Sequence, residues 1–211
     1  MSLQARERIE GLSLSRKLQL AGIQATLHPL STEVMGDCLA VVPEDQPSPG
    51  LLLLRPGQFS SPLVRIQSRC IYGEVLGSLH CDCRAQLVEA GRLLSEESSE
   101  AAMLFYLEQE GRGAGLSVKA RAYEAEANRG VDSFTFYEEL GLISDLRTYV
   151  FVVRVLRGLG VHRIRLLTNN PAKCDALVLE GIDVIRVPLI IETGVHAKPY
   201  MDAKRKRGHL L

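Results

Sequence analysis

The stretch from Arg163 onward constrains the fold most. Arg163 to Leu167 reads as a short strand that runs into Thr168-Asn169-Asn170-Pro171. That tetrapeptide has helix-start chemistry: Asn170 can cap free amides, and Pro171 has a preset φ and no N–H to satisfy. A helix then runs to Gly181, and Val184 to Ile191 reads as a final strand. A strand, a helix and a second strand in this order imply parallel pairing with a covering helix. The pattern extends upstream. Met103 to Leu107 is a buried strand, Lys119 to Asn128 a helix, and Asp145 to Leu159 a strongly apolar helix stopped by Gly158 and Gly160.

The first half has a different texture. Gly36 to Val42, Leu51 to Leu54 and Leu63 to Ile66 are short apolar runs broken by Pro and Gly, with Pro43 to Gly50 as a loop. Residues 1–22 read as a helix with a charged start, and Gln86 to Leu94 as another. The expected fold class is α/β (α+β-like), a mixed sheet with covering helices: an N-terminal β-rich part and a C-terminal βαβ part. Residues 1–22 form an N-terminal helical extension and 23–211 one domain.

Composition narrows the function classes. With 211 residues and 46% hydrophobic content the chain can bury a sizeable core. Lys plus Arg (25) equals Asp plus Glu (25), so no global field draws in nucleic acid or an anionic membrane, and an anionic ligand must be met locally. No apolar run is long enough to cross a bilayer, and the charged start lacks a signal-peptide core. Five cysteines, an odd number, fit a reducing cytoplasm better than a disulfide framework. The tail, Lys204-Arg205-Lys206-Arg207-Gly208-His209, is basic and expected to be mobile.

Four segments carry chemistry. Cys70, Cys81 and Cys83 are either three small buried thiols or a zinc site with one open position. An open position gives the metal a reaction to run, because zinc lowers the pKa of a water from about 15.7 to about 7. Gly111, Gly113 and Gly115 make either a flexible turn or a row of exposed amides for an anion, to which Arg112 adds a planar fork. Thr168 to Lys173 is either an ordinary cap or a second anion site. In the expected helix, Ser144 is the N-cap and Asp145 suits the positive end. Arg147 then opposes the macrodipole, so it either pairs with a carboxylate such as Asp145 or has a functional role. Tyr123 is either packed against the sheet or a phenolic donor.

Several of these motifs, in this order, resemble the GTP cyclohydrolase II family of riboflavin synthesis. The likeness runs from about Arg65 to Leu211. It rests on Gly73 to Cys83, Gln109 to Leu116 (QEGRGAGL), Arg121-Ala122-Tyr123, Asp145-x-Arg147, Leu166 to Pro171 and Gly208 to Leu211. The resemblance implies a zinc ion on Cys70, Cys81 and Cys83, Mg²⁺ with the triphosphate, and a cytoplasmic homodimer that binds GTP and neither nucleic acid nor membrane. It implies a nucleotide site made by Arg65, Ser68, Arg69, Gln86, Glu110, Gly111, Arg112, Ser133, Thr168 and Lys173. Asp145 would accept a proton, Arg147 would act at the α-phosphate and Tyr123 would serve ring opening. The implied reaction opens the guanine imidazole at C8 and releases formate and pyrophosphate, leaving a diaminopyrimidine ribosyl phosphate.

The chain departs from the family's Arg-Val-His-Ser-Glu-Cys, reading Arg65-Ile66-Gln67-Ser68-Arg69-Cys70. Gln67 cannot serve as acid or base, and Arg69 reverses a charge next to the first cysteine. Glu74, His80 and Arg84 also differ from the family's usual Asp, Arg and Gly. These changes leave room for a cyclohydrolase that uses another nucleotide or stops at a formamide, and for a zinc-stabilised scaffold.

Overall fold

The computed structural model describes residues 13–143, 145–192 and 194–210. A seven-stranded mixed sheet organises them. In chain order the strands are β1 (Ala25–Thr32), β2 (Gly36–Pro43), β3 (Gly50–Arg55), β4 (Gln58–Ser68), β5 (Glu100–Leu107), β6 (Arg163–Leu167) and β7 (Asp183–Val187). Their spatial order is β1-β2-β3-β5-β4-β6-β7. β1, β2, β3 and β5 pair antiparallel, while β5, β4, β6 and β7 pair parallel. The helices are α1 (residues 13–20), α2 (Cys83–Glu96), α3 (Gly115–Arg129), α4 (Ser133–Glu139), α5 (Val150–Gly158), α6 (Pro171–Leu179) and α7 (Lys198–Lys206). The mixed sheet with its β-rich first half and βαβ second half agrees with the fold class read from the sequence. Among the described residues no helix is long and apolar enough to cross a membrane.

The central strands are near-continuous apolar runs because helices or loops cover both faces. Alternation along β3 and β5 sorts side chains by face. Leu52, Leu54, Met103 and Phe105 point to one side and pack with Leu14 and Leu18 of α1, with α5 and with Leu177 of α6. Leu53 and Leu104 point to the other and pack with Ala90 and Leu94 of α2, Met35 and Leu189. α3 and α4 make a smaller cluster around Ala122, Ala125, Phe136 and Tyr137. Leu14 and Leu18, one turn apart, are both buried, so α1 belongs to the main core.

Three expectations change. The helix expected over Asp145–Leu159 begins at Val150. Residues 145–149 are instead held by local bonds: the Asp145 carboxylate accepts from its neighbour's backbone, Arg147 N, and Leu146 N donates to Arg112 O. Such side-chain-to-backbone bonds compete with helix formation. Arg147 therefore opposes no macrodipole, and Ser144, expected as N-cap, lies outside the described residues. The last strand stops at Val187, ahead of Pro188, which has no N–H for a ladder; Leu189 N donates to the Asn169 side chain instead. The basic tail is ordered, with Lys204 buried within α7. The Asn170 cap and Pro171 at the first helical position form as read, with Asn170 Oδ1 accepting from Ala172 N.

β4, β5 and β6 run parallel, so their carboxyl ends lie side by side. Ser68 pairs with Leu107, and Thr168 N donates to Val187 O just past β6. The segments leaving these ends carry Cys70 to Cys83, Glu110 to Gly113 and Thr168 to Lys173. The crevice outside the carboxyl ends of parallel strands is where α/β sheets bind ligands.

Candidate active site

The sulfur end of the site is built within one short segment. Cys70 follows β4, a single wide turn (Ile71–Val75) reverses the chain, and Cys81 and Cys83 come just before α2. The three sulfurs lie within 4.8 Å of one another. Gly73 lets them close, since a Cβ there would sit 2.6 Å from Cys81 Sγ and 3.3 Å from Cys70 Sγ. Lys119 Nζ lies 3.0 Å from Cys70 Sγ and 2.7 Å from Glu110 Oε1. Bonds from Cys81 and Cys83, and then Lys119, pull the Cys70 thiol down, while the bond to Cys70 pushes Cys81 and Cys83 up. Burial alone would lower Lys119, but its bonds to Glu110 and Cys70 outweigh it and raise its pKa. A glycine-cradled group of three sulfurs, one already biased to thiolate, fits a thiophilic metal ion with a position to spare. No fourth His, Cys, Asp or Glu joins it among the described residues.

Tyr123 stands edge-on to Tyr72, centroids 5.4 Å apart, and to His80 at 6.2 Å. Burial first, and then the charges of Cys81, Cys70 and Cys83, push its hydroxyl up, so it stays a neutral donor.

A buried polar web ties the cysteines to β4. The Glu74 carboxylate accepts from Gln67 Nε2 (2.6 Å), Tyr106 OH (2.6 Å) and Cys70 N (3.1 Å). Gln67 Oε1 accepts from Arg65 Nη2 at 2.7 Å, and Arg65 also donates to Gln86 Oε1 and Leu167 O. Gln86 Nε2 donates to Asp82, which also holds Lys204. Burial lowers Arg65 to about 10.

The cationic end is assembled from distant segments. Lys173 is buried and donates to Ile66 O at 2.8 Å; burial, and then Arg147 and Arg65, pull its pKa well down. Arg147 forks onto Asp145, with Nε 2.8 Å from Oδ1 and Nη2 on Oδ2, so the expected carboxylate pairing is present. Arg112 takes a left-handed φ of 54° beside Gly111 at 58°. Its guanidinium lies 3.3 Å over the Phe134 ring, Nη2 reaches Ser133 Oγ, and Nη1 is buried without a partner. Ser68 Oγ is likewise buried and unpaired, and the Thr168 hydroxyl accepts from Asn170 N. Buried donors without partners are uncommon, and at a site they mark where a ligand atom belongs.

Arg69 pairs with a carboxylate and makes no bond to the sulfurs among the described residues. Its side chain is 42% exposed and pairs with Glu108 at 2.6 Å. The pair stands on the rim of a cleft of about 260 Å³ lined also by Ile71, Glu110, Gly113 and Leu116. Sequence reasoning missed Lys119, Asp82, Lys204 and His209. Asp82 between two cysteines was the legible signal; the other three reach the site only through the fold.

Comparison with known proteins gives a consistent picture. Residues 24–188 match the family described as GTP cyclohydrolase II. The GTP cyclohydrolase-2 of Hahella chejuensis is 44% identical over 157 residues, 74% of this chain and 74% of the relative. That of Teredinibacter turnerae is 44% identical over 151 residues, 71% of this chain and 74% of the relative. The riboflavin biosynthesis protein RibBA of Chlorobium phaeovibrioides is 43% identical over 151 residues, 71% of this chain but 36% of that longer protein.

Proposed function

This chain belongs to the GTP cyclohydrolase II family, and from that premise we propose that it hydrolyses the imidazole ring of GTP at C8, releasing formate and pyrophosphate and leaving a diaminopyrimidine ribosyl phosphate. One observation carries the reading: a three-sulfur group and a group of cations, Arg65 and Lys173 buried and Arg112 and Arg147 partly buried, are gathered by segments around the carboxyl ends of the parallel strands. A purine would meet the first and its polyphosphate the second.

Cys70, Cys81 and Cys83 would hold one zinc ion, which when bound would supply a Lewis acid that makes water nucleophilic near neutral pH. Lys119 balances thiolate charge at Cys70 and fixes Glu110, whose other oxygen accepts from Ile71 N at 2.7 Å. Tyr123 remains protonated and can donate to a ring nitrogen as the C8–N bond breaks. Burial would raise Asp145, but its bond to Arg147 outweighs this and lowers its pKa, so it stays ionised and is free to act as the proton acceptor. Arg147 is better suited to stabilise phosphate charge than to attack it, because its bonds to Asp145 outweigh burial and raise its pKa. Arg112, Thr168 and Lys173 bind phosphate oxygens, and a Mg²⁺ bound with the triphosphate would screen its charge. Ser68, Gln86, Gly111 and Ser133 complete the nucleotide site, and the protein works as a cytoplasmic homodimer.

Gln67 favours a second reading, in which hydrolysis stops at the formamide. Its amide joins Arg65 to Glu74 and can move no proton. Incubation of metal-loaded protein with GTP and Mg²⁺, followed by mass spectrometry with formate and pyrophosphate assays, separates the two. Formate with pyrophosphate supports the first reading and a retained formyl group the second. No turnover of GTP rejects both.

A further inference from the structure

The cations that would receive a polyphosphate are shut in. Lys173 is 6% exposed, Arg65 4%, and the side chains of Arg147 and Lys204 are 13% and 10% exposed. A nucleotide cannot reach them unless some element moves. Residues 198–210 follow the stretch 24–188 matched by the family model and lie beside this end, where Lys204 meets Asp82 and Leu210 meets Asn169.

One contact is buried. Lys204 Nζ binds both oxygens of Asp82, at 2.5 and 2.7 Å, and Asp82 has no exposed side-chain surface. Through Gln86 this pair joins Arg65, so a continuous polar line runs from β4 through the Cys81-Asp82-Cys83 loop to α7. Met201 and Ala203 are buried beside it, and two further contacts follow. Arg207 forks onto Glu138 at 2.6 and 3.1 Å and leans on Phe134, the ring that also carries Arg112. Leu210 N donates to Asn169 O at 2.9 Å, next to Thr168. Between these anchors His209 N donates to Lys204 O, one residue from the Leu210 bond to Asn169, and burial first, then the charges of Lys204, Arg147, Arg112 and Lys173, lower the imidazole pKa.

We propose that residues 198–210 are a strap that opens to admit the nucleotide and closes over it, latched by Lys204 on Asp82, and that closure brings His209 to the phosphates. The first half rests on the reading that the cation cluster takes a polyphosphate. The element pairs with no strand, so opening it leaves the sheet intact and breaks one buried ion pair, the two further contacts and the packing of Met201 and Ala203. Burial keeps the imidazole neutral, at about 4, so it approaches four cations without adding a fifth and can donate to a phosphate oxygen once an anion enters.

The strap carries its own reporter, since Arg205 and Arg207 are exposed trypsin sites. Limited trypsin digestion of the full-length, metal-loaded protein, with and without inorganic tripolyphosphate, tests the proposal. If cleavage needs an open strap, tripolyphosphate at about ten times its Kd slows it by about 10-fold. Lys204→Met speeds cleavage without ligand. His209→Ala keeps the parent melting temperature but binds tripolyphosphate about 10-fold more weakly, so protection at the same concentration falls to about 2-fold. It also raises the KM for GTP more than it lowers kcat.

Cleavage of the parent that ignores tripolyphosphate, or His209→Ala protected as well as the parent, overturns the proposal in favour of a fixed helix. If Lys204→Met fails to fold, the His209→Ala comparison still decides. Protection by tripolyphosphate without turnover of GTP leaves the strap standing and removes the proposed reaction.

Discussion

The two ends of the crevice are built by opposite strategies. The sulfur end is local: residues 70–83 bring all three thiols together across one turn, and Lys119 is its main outside contributor. The cationic end is non-local, drawing Arg65 from β4, Arg112 from the glycine turn, Arg147 from the segment before α5, Lys173 from α6 and Lys204 from α7. The sulfur end is charge-complementary as it stands, thiolate facing ammonium. The cationic end sets like charges against one another in a buried place, where the pull-down of Lys173 by burial and by two arginines records the unfavourable energy. A site that folds with this repulsion built in regains it when an anion arrives.

The comparison is broken or sharpened by a graded set of variants. The largest effect belongs to the sulfur end. Cys81→Ala should drop metal content, read by atomic absorption, from about one ion per chain to near zero, and cut GTP turnover by about a thousand-fold or more. If turnover survives, the two ends do not share a reaction. Next, Lys173→Met should weaken tripolyphosphate binding about 10- to 100-fold by calorimetry, with metal content unchanged. Loss of metal in this variant would show that the ends are coupled.

Glu74→Ala tests the web between the ends. It strands Gln67 Nε2, Tyr106 OH and Cys70 N, so unfolding by denaturant should show a loss of about 3 kcal/mol, and metal affinity should fall about 10-fold.

Glu97→Gln is a control remote from both ends. Glu97 accepts from Arg165 at 2.6 Å and from the backbone of Ser99 and Glu100, and Arg165 first and foremost holds it down at about 2. A depressed carboxylate lends its stability fully above its unfolded value, about 4.3, and loses it as pH falls toward 2. The parent should therefore lose stability faster than the variant between about pH 5 and pH 2, and the variant should be weaker at neutral pH by about 1–2 kcal/mol in denaturant melts. The smallest effect is expected of Arg69→Ala. Its side chain and that of Glu108 are about two-fifths exposed, so metal content and melting temperature should not change measurably.

What could be read from the sequence follows the same division. The three cysteines, the Asn170 cap with Pro171 and the strands Leu51–Leu54 and Met103–Leu107 carry their instructions in neighbouring residues, and the fold has them where the pattern places them. Failures arose where a side chain takes a partner that the helical or charge pattern does not anticipate. Asp145 to Tyr149 looks helical until Asp145 turns to hold Arg147 and Leu146 is drawn to Arg112 O. The tail looks like a solvated basic run until Asp82 offers Lys204 a buried carboxylate. No spacing rule announces that residues 82 and 204 meet.

One contact described above also bears on how the chain is made. α1 beds against α5, so closely that a methyl on Gly158 would lie 2.6 Å from the Ala21 side chain. A ribosome releases α1 early and Gly158 about 140 residues later, a delay on the order of ten seconds at ~5–20 residues per second. Through that interval Leu14 and Leu18 can rest only on early strand residues such as Leu52 and Leu54, and the side of the stripe that meets α5 stays open until the second half is made.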